Sequence, residues 1–212
     1  MIRRILATAM FLLILLTGAL SAQAPSGLLT RLDRSRSATD PDDVPDVTIV
    51  SADRGFRVDT GPATLVWDPV NTVSGSYNLE GTFTLQRPSS HPNYYGLVFG
   101  GRELEGASQT YLYFLVAQNG AFLIKRREGD VTTFNVLAST PHAAVVRPDA
   151  TGRSVNKLEV RVGADQIAYL VNGTEVHATP KTGVTAATDG IWGVRVNHVL
   201  PGVLVEGLGV TR

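Results

Sequence analysis

The sequence of 212 residues contains no cysteine. This absence excludes disulfide bridges, thiolate zinc sites, cysteine nucleophiles and lipidation at an N-terminal cysteine. Stability must therefore come from a hydrophobic core, and the 43% of hydrophobic residues is ordinary for a globular protein.

The sequence also lacks an excess of charge of either sign. Nineteen basic and nineteen acidic side chains give a formal net charge of zero, so no single-signed field is available to hold nucleic acid or an anionic membrane. The four histidines are scattered, without the spacing of a zinc site. We predict no metal site and no cofactor, with calcium at the rim of a sheet left open.

Long apolar runs are absent except at the N-terminus. Residues 1–24 combine the basic Arg3 and Arg4, an apolar run from Ile5 to Leu20, and Ala22-Gln23-Ala24, which is typical of a cleavage site. The run is shorter than the roughly 20 residues that span a bilayer, which favours a cleaved signal peptide over a membrane anchor. We therefore predict an exported protein, periplasmic or extracellular, with no membrane insertion after cleavage.

Residues 25–46 contain few large apolar side chains, mixed charges and three prolines. Such a segment buries too little surface to offset its ordering entropy. We predict a flexible linker or a loosely attached surface strand here, followed by one domain over residues 47–212.

The clearest structural signal lies between Val155 and Thr179. Apolar and polar residues alternate from Leu158 to Val162 and again from Ile167 to Val171, as expected for half-buried strands. Asn172-Gly173 then favours a type I′ hairpin turn, in which both central residues take positive φ. The pattern predicts an antiparallel meander of three strands.

About a dozen such short strands recur from Val47 onward, with no helical periodicity longer than a turn. Many short strands joined by Gly and Asn-Gly turns predict an all-β fold, a two-sheet antiparallel jelly-roll sandwich. In the last strand the apolar parity changes between Val205 and Leu208, which predicts a β-bulge at Glu206-Gly207.

Four segments carry a resemblance to a known family: GSYNLEGTFTL (75–85), NYYGLVFGG (93–101), VNKLEVRVGADQIAYLVNGTEV (155–176) and GIWGVRVNHVLPGVLVEGLGV (190–210). They resemble strands of the concanavalin A-like (lectin/glucanase type) and laminin-G-like jelly rolls, and are similar in particular to the bacterial 3-keto-disaccharide hydrolase-like domain family. The resemblance covers about residues 46–212. It implies the fold, which lectins, glycosidases and adhesion modules share.

The resemblance also bears on catalysis. Asn197-His198 fits a position where the family commonly has an acid or amide followed by histidine, which suggests His198 as a candidate. The chain departs from the family at Ser154-Val155, where a tryptophan is frequent.

A carboxylate pair for glycoside hydrolysis is hard to find in this sequence. The Glu-x-Asp-x-x-Glu pattern of retaining glucanases on this fold is absent, and the nearest pair is Glu103 and Glu105, in a glycine-flanked stretch that favours a loop. No Gly-x-Ser-x-Gly elbow is present either. Catalysis is therefore uncertain, and Glu103 and His198 are its only candidates.

The strand patterns predict instead a polar face able to bind a ligand. Tyrosines among charged donors suit a sugar, whose apolar faces stack on aromatic rings while its hydroxyls form hydrogen bonds. A solvated face stabilised by cross-strand pairs is the alternative. The candidate ligand-binding residues are Tyr94, Tyr111, Tyr113, Lys125, Arg127, Arg195 and Asn197. The same pattern adds Glu80, Thr82, Thr84, Glu159 and Arg161, whereas Trp67 and Trp192 are predicted in the core.

The sequence thus predicts an exported, non-catalytic binding module with carbohydrate as its ligand. Three alternatives stay open: a glycoside hydrolase of the 3-keto-disaccharide type, a laminin-G-like module that binds an extracellular protein, and a structural envelope component.

Overall fold

The structure is a computed structural model that describes residues 25–33, 47–90 and 92–212. The predicted signal peptide, residues 34–46 of the predicted linker, and His91 lie outside the described residues. The described residues form strands β1 Leu29–Asp33, β2 Thr48–Ala52, β3 Gly55–Thr60, β4 Ala63–Val73, β5 Tyr77–Leu85, β6 Tyr94–Arg102, β7 Thr110–Ala117, β8 Ala121–Glu128, β9 Thr132–Pro141, β10 Ser154–Val162, β11 Gln166–Val171, β12 Thr174–Pro180, β13 Gly190–Val196 and β14 Leu200–Thr211. One turn of 3-10 helix, Gly183–Thr185, precedes β13.

Two antiparallel sheets of seven strands each form a sandwich. Sheet A has the order β1-β4-β13-β6-β7-β8-β9, and sheet B has the order β12-β11-β10-β5-β14-β3-β2. This arrangement confirms the predicted all-β jelly-roll fold. The core lies between the sheets and consists of alternate residues of each strand, including Leu97, Phe114, Leu158 and Val160, all of them fully buried.

Two local predictions are confirmed. Asn172 and Gly173 have φ of 52° and 81°, the left-handed pair that the turn between β11 and β12 requires. In β14, Glu206 pairs with Thr82 whereas Gly209 pairs with Glu80, so one extra residue separates the two pairs. This is the expected bulge, and it brings Leu208 and Val210 against the core.

Of the two alternatives predicted for the N-terminal segment, a flexible linker or an attached surface strand, the described residues 29–33 form the strand. Leu29–Asp33 form β1, which pairs along its whole length with β4 at the edge of sheet A. Arg31 and Asp33 hold the strand by side-chain contacts that composition does not reveal, so these residues belong to the folded domain.

Candidate functional site

Sheet A is apolar on its outer face as well as on its core face. A second buried cluster lies on that outer side, at the opposite strand parity from the core, and consists of Leu65, Trp67, Val98, Leu104, Tyr111, Tyr113, Leu115 and Leu123. Trp67, predicted in the core, is thus buried in the outer cluster, whereas Trp192 is partly buried against the core.

The sequence carries the signal for this second cluster. Residues 111–117 read YLYFLVA without a break in hydrophobicity, and residues 121–124 read AFLI. An uninterrupted apolar run is typical of a strand that is buried on both faces, whereas a strand with one wet face alternates. The apolar runs of β7 and β8 therefore indicate that part of the outer face of sheet A is buried.

All seven predicted ligand-binding residues lie on or beside this outer face. Cross-strand pairing places Tyr113 opposite Lys125 and Tyr111 opposite Arg127, on β7 and β8. On the other side of β6, the backbone N–H of Asn197 donates to the carbonyl of Tyr94 over 2.8 Å. The structure therefore brings the predicted residues of four strand segments together on one surface.

The centre of this surface is a buried ion pair between Arg195 of β13 and Asp33 of β1. Their side chains are only 10% and 7% exposed, and Nη1 of Arg195 donates to Oδ2 of Asp33. Nη1 also donates to the Tyr111 hydroxyl over 2.8 Å, and that hydroxyl donates to Asp33 over 3.2 Å. Three polar groups thus satisfy one another where water is largely excluded.

Electrostatics on this face follow from that arrangement. Burial alone would raise the pKa of Asp33. This increase is outweighed by the charge and hydrogen bond of Arg195, the charge of Arg127 and the hydrogen bond from Tyr111, so the pKa of Asp33 lies below its usual 3.8. Burial raises the pKa of the Tyr111 phenol well above its ordinary value. Asp33 is therefore a carboxylate and Tyr111 a neutral donor at neutral pH.

The guanidinium of Arg195 also orders the aromatic residues beside it. Its central carbon lies 5.5 Å from the centre of the Tyr113 ring, within cation–π distance, and Nε donates to Oδ1 of Asn197 over 3.1 Å. The rings of Tyr111 and Tyr113 are 5.6 Å apart and tilted by 45°. Arg195 therefore joins three of the predicted site residues into one network.

Sequence reasoning missed the residues that β1 contributes. Asp33 completes the network, and Arg31 donates through Nη1 to the carbonyls of Glu105 and Gly106, each over 3.0 Å, while its Nη2 pairs with Asp130. The order Leu29, Thr30, Arg31, Leu32, Asp33 does not alternate between apolar and polar residues, so the sequence carries no strand signal for β1.

The predicted residues differ in accessibility. Tyr111 is fully buried and Tyr113 is only 7% exposed. The partly exposed members are Tyr94, Lys125, Arg127 and Asn197. A ligand on this surface would meet the four partly exposed side chains, and the two buried tyrosines lie behind them.

Two of the exposed members are themselves positioned by hydrogen bonds. The Tyr94 hydroxyl lies 2.6 Å from Oγ of Ser139 on β9. Nε of Arg127 donates to the carbonyl of Gly129 over 2.7 Å, and Nη2 donates to the carbonyl of Asp130. Arg127 is therefore held toward the turn between β8 and β9.

The other polar residues predicted for the same face belong to sheet B. Glu80, Thr82, Thr84, Glu159 and Arg161 lie on β5 and β10, which pair with each other in that sheet. Thr84 is buried, and the charged members form exposed ion pairs with their neighbours. These residues are separated from the sheet A surface by the whole sandwich.

The structure does not bring the two catalytic candidates together. Glu103 is exposed and follows the last residue of β6, whereas His198 follows Asn197, which pairs with Tyr94 at the start of β6. Nine extended residues span about 30 Å, so the two side chains lie at opposite ends of the sheet. They cannot act on one scissile bond.

No group of three or more His, Asp or Glu side chains could hold a metal ion within residues 25–33, 47–90 and 92–212. The same ranges contain no helix that is long and apolar enough to cross a membrane.

The two seven-stranded antiparallel sheets define this protein as a jelly-roll β-sandwich. It is similar to the carbohydrate-binding module CBM66 from Bacillus subtilis, with a TM-score of 0.61, 10% identity, and 88% of this chain and 96% of that chain covered. It is also similar to a Bacillus subtilis protein of unknown function with a galectin-like fold, with a TM-score of 0.58, 15% identity, and 86% and 94% covered.

A third similar structure is the carbohydrate recognition domain of Emp46p, with a TM-score of 0.52, 11% identity, and 83% of this chain and 95% of that chain covered. At these identities the similarity shows the fold alone. No protein-family model and no curated protein matches the sequence. The narrower resemblance to 3-keto-disaccharide hydrolase-like domains therefore stays a prediction.

Proposed function

We propose that this protein is an exported, non-catalytic carbohydrate-binding module whose saccharide lies on the outer face of sheet A. One observation carries the proposal: aromatic, cationic and amide side chains of neighbouring strands converge there around the buried Asp33–Arg195 pair. Two of the similar structures are a carbohydrate-binding module and a carbohydrate recognition domain, which supports the proposal.

The site residues divide into two roles in this proposal. Tyr94, Lys125, Arg127 and Asn197 are partly exposed and contact the sugar, with Tyr94 as the aromatic surface for its apolar face. Asp33, Tyr111, Tyr113 and Arg195 are buried and hold the contact residues in place. Preorganisation of this kind reduces the entropy lost on binding.

The hydrolase alternative has less support from the geometry. A glycosidase needs two carboxyl groups about 5–10 Å apart across the scissile bond. Asp33, the carboxylate at the centre of the sheet A face, pairs with Arg195 and accepts a hydrogen bond from Tyr111, so it is not free to act on a scissile bond. A protein-adhesion or structural role remains the alternative if no saccharide binds.

A glycan-binding screen on the full chain, with and without calcium, tests the proposal. We expect specific saccharide binding without turnover, reduced about tenfold by Asn197→Ala. The matched control is Asn78→Ala on β5, an amide of sheet B that is remote from the site. Loss of binding on calcium removal would place an ion at the sheet rim. A blank screen, or equal effects of the two substitutions, would refute the proposal.

A further inference from the structure

Two cations on the outer face of sheet A form ion pairs, and two others form none with a carboxylate of the described residues. Arg195 pairs with Asp33, and Arg31 pairs with Asp130. Lys125 is different, because no carboxylate of the residues that the structure describes lies within ion-pair distance of it.

Arg127 shares this property. Its polar contacts are the carbonyls of Gly129 and Asp130 and, at 3.5 Å, the Thr133 hydroxyl, all of them neutral acceptors. A guanidinium has five N–H donors, so some of those of Arg127 stay available in addition to its charge.

Lys125 and Arg127 also lie together. They are two residues apart on β8 and point to the same face, which places their Cα atoms about 7 Å apart. Burial and the neighbouring Arg195 guanidinium lower the pKa of the Lys125 ammonium. The folded protein therefore holds two cations side by side, and neither forms an ion pair with a carboxylate of the described residues. Asp33 interacts with the charge of Arg127, but it is already paired with Arg195.

The outer face of sheet B shows that this arrangement is a local property. There, Nζ of Lys157 lies 2.8 Å from Glu80, and Nε of Arg161 lies 2.7 Å from Glu159. The chain as a whole carries equal numbers of acidic and basic residues. The lack of a described carboxylate partner for Lys125 and Arg127 is thus a feature of the sheet A surface and not of the composition of the chain.

We infer that the saccharide bound by this face is anionic, and that Lys125 and Arg127 bind its negatively charged group. This inference rests on the proposed carbohydrate-binding function and specifies its ligand class. The shared chemistry is an oxyanion on a sugar ring, which a uronic acid carboxylate or a sulfate ester can supply. Both form short, charge-assisted hydrogen bonds with ammonium and guanidinium donors.

The test compares ligands that differ only in charge. Titration calorimetry on the full chain would use oligogalacturonate and its methyl ester for the carboxylate, and dextran sulfate and dextran for the sulfate. We expect binding of at least one charged ligand to be about tenfold or more tighter than that of its neutral partner, and to weaken as salt is raised from 50 to 500 mM. The charged ligand that binds identifies the source of the oxyanion.

Variants separate a specific site from general attraction of polyanions. Lys125→Met should weaken binding of the charged ligand about tenfold or more. Lys157→Met removes the same charge from sheet B and should have no effect. Equal loss in both variants would overturn the inference.

The two proposals fail in different ways. Saccharide binding that is weakened about tenfold by Asn197→Ala, but is equal for charged and neutral partners, would overturn the anionic ligand and keep the carbohydrate-binding function. Absence of binding by any saccharide, charged or neutral, would refute both.

Discussion

The two outer faces of this sandwich use charged residues in opposite ways. On sheet B, the ion pairs Lys157–Glu80 and Arg161–Glu159 are exposed to water at one or both ends. On sheet A, the Asp33–Arg195 pair is nearly excluded from water and lies among apolar side chains and tyrosines. The same residue types therefore stabilise a solvated surface in one place and a preorganised one in the other.

This difference indicates that the outer face of sheet A does more than keep the protein soluble. Burying an ion pair costs desolvation that its attraction barely repays, so a hydrophobic pair of similar volume would serve stability as well. Exposed ion pairs lose little hydration and contribute little to the free energy of unfolding. A buried Asp33–Arg195 pair that holds Tyr111 and Asn197 in place is better explained by positioning than by stability alone.

The largest expected effect comes from breaking the buried pair. Asp33→Asn leaves the Arg195 charge uncompensated in a nearly dry site and should lower the free energy of unfolding by about 3–5 kcal/mol. Glu80→Gln makes the same carboxylate-to-amide change in an exposed pair and should cost no more than about 1 kcal/mol. Urea denaturation of both variants measures the difference. Equal losses would remove the distinction between the faces.

The same pair should respond to acid. The pKa of Asp33 in the folded protein lies below the 3.8 of the unfolded chain. As the pH falls, Asp33 is therefore protonated in the unfolded state before it is protonated in the folded state. The stabilisation is complete above about pH 4 and is lost as the pH falls through the folded-state pKa. The stability gap between the wild-type protein and Asp33→Asn should therefore narrow below pH 4.

Denaturation curves at pH 7, 5, 4 and 3 would follow this gap. Other carboxylates whose pKa is lowered, such as the exposed Asp149, are present in both proteins and cancel in the comparison. A gap that stays constant down to pH 3 would mean that Asp33 is not the group that responds.

A smaller effect is expected from the Tyr111 hydroxyl. Tyr111→Phe removes hydrogen bonds to two charged groups and should cost about 1.5–3 kcal/mol. Tyr169 is an equally buried tyrosine of the core, and its hydroxyl lies 3.4 Å from the neutral Thr179. Tyr169→Phe should therefore cost less, about 0.5–1.5 kcal/mol. A larger loss from Tyr169→Phe in urea denaturation would contradict the network.

The contrast between the faces also shows how far the sequence can be followed. Alternation and Asn-Gly or Gly turns predict nearly every strand within a few residues, because strand period and turn conformation are local properties. The same alternation assigns Tyr111, Lys125 and Arg195 to one side of sheet A correctly. It also placed Glu80 and Arg161 with them, because parity tells which residues share a strand face and not which sheet the strand joins.

Local patterns fail where a contact is distant in sequence. The partners Asp33 and Arg195 are 162 residues apart, and only the pairing of β1 with β4 brings them together. Composition alone left Asp33 in a segment predicted as a flexible linker or a loosely attached strand, without a partner for it. The long-range topology that closes a jelly roll is not encoded in any short window, so the pairing of Arg195 with Asp33 could not be predicted from the sequence.

The smallest expected effect is the change in stability when one lysine on each outer face is replaced, and its sign should differ between the two faces. The ion pair with Glu80 stabilises the charged form of Lys157 and raises the pKa of Lys157. Lys157→Met should therefore lower the free energy of unfolding by up to about 1 kcal/mol. Lys125 is disfavoured by burial and by Arg195, so Lys125→Met should leave stability unchanged or raise it slightly. Urea denaturation of the two variants measures both signs. A cation that lowers the stability of the folded protein and has no stabilising neighbour is most simply explained by a role in binding an anionic ligand. A clear loss of stability in Lys125→Met would contradict this explanation.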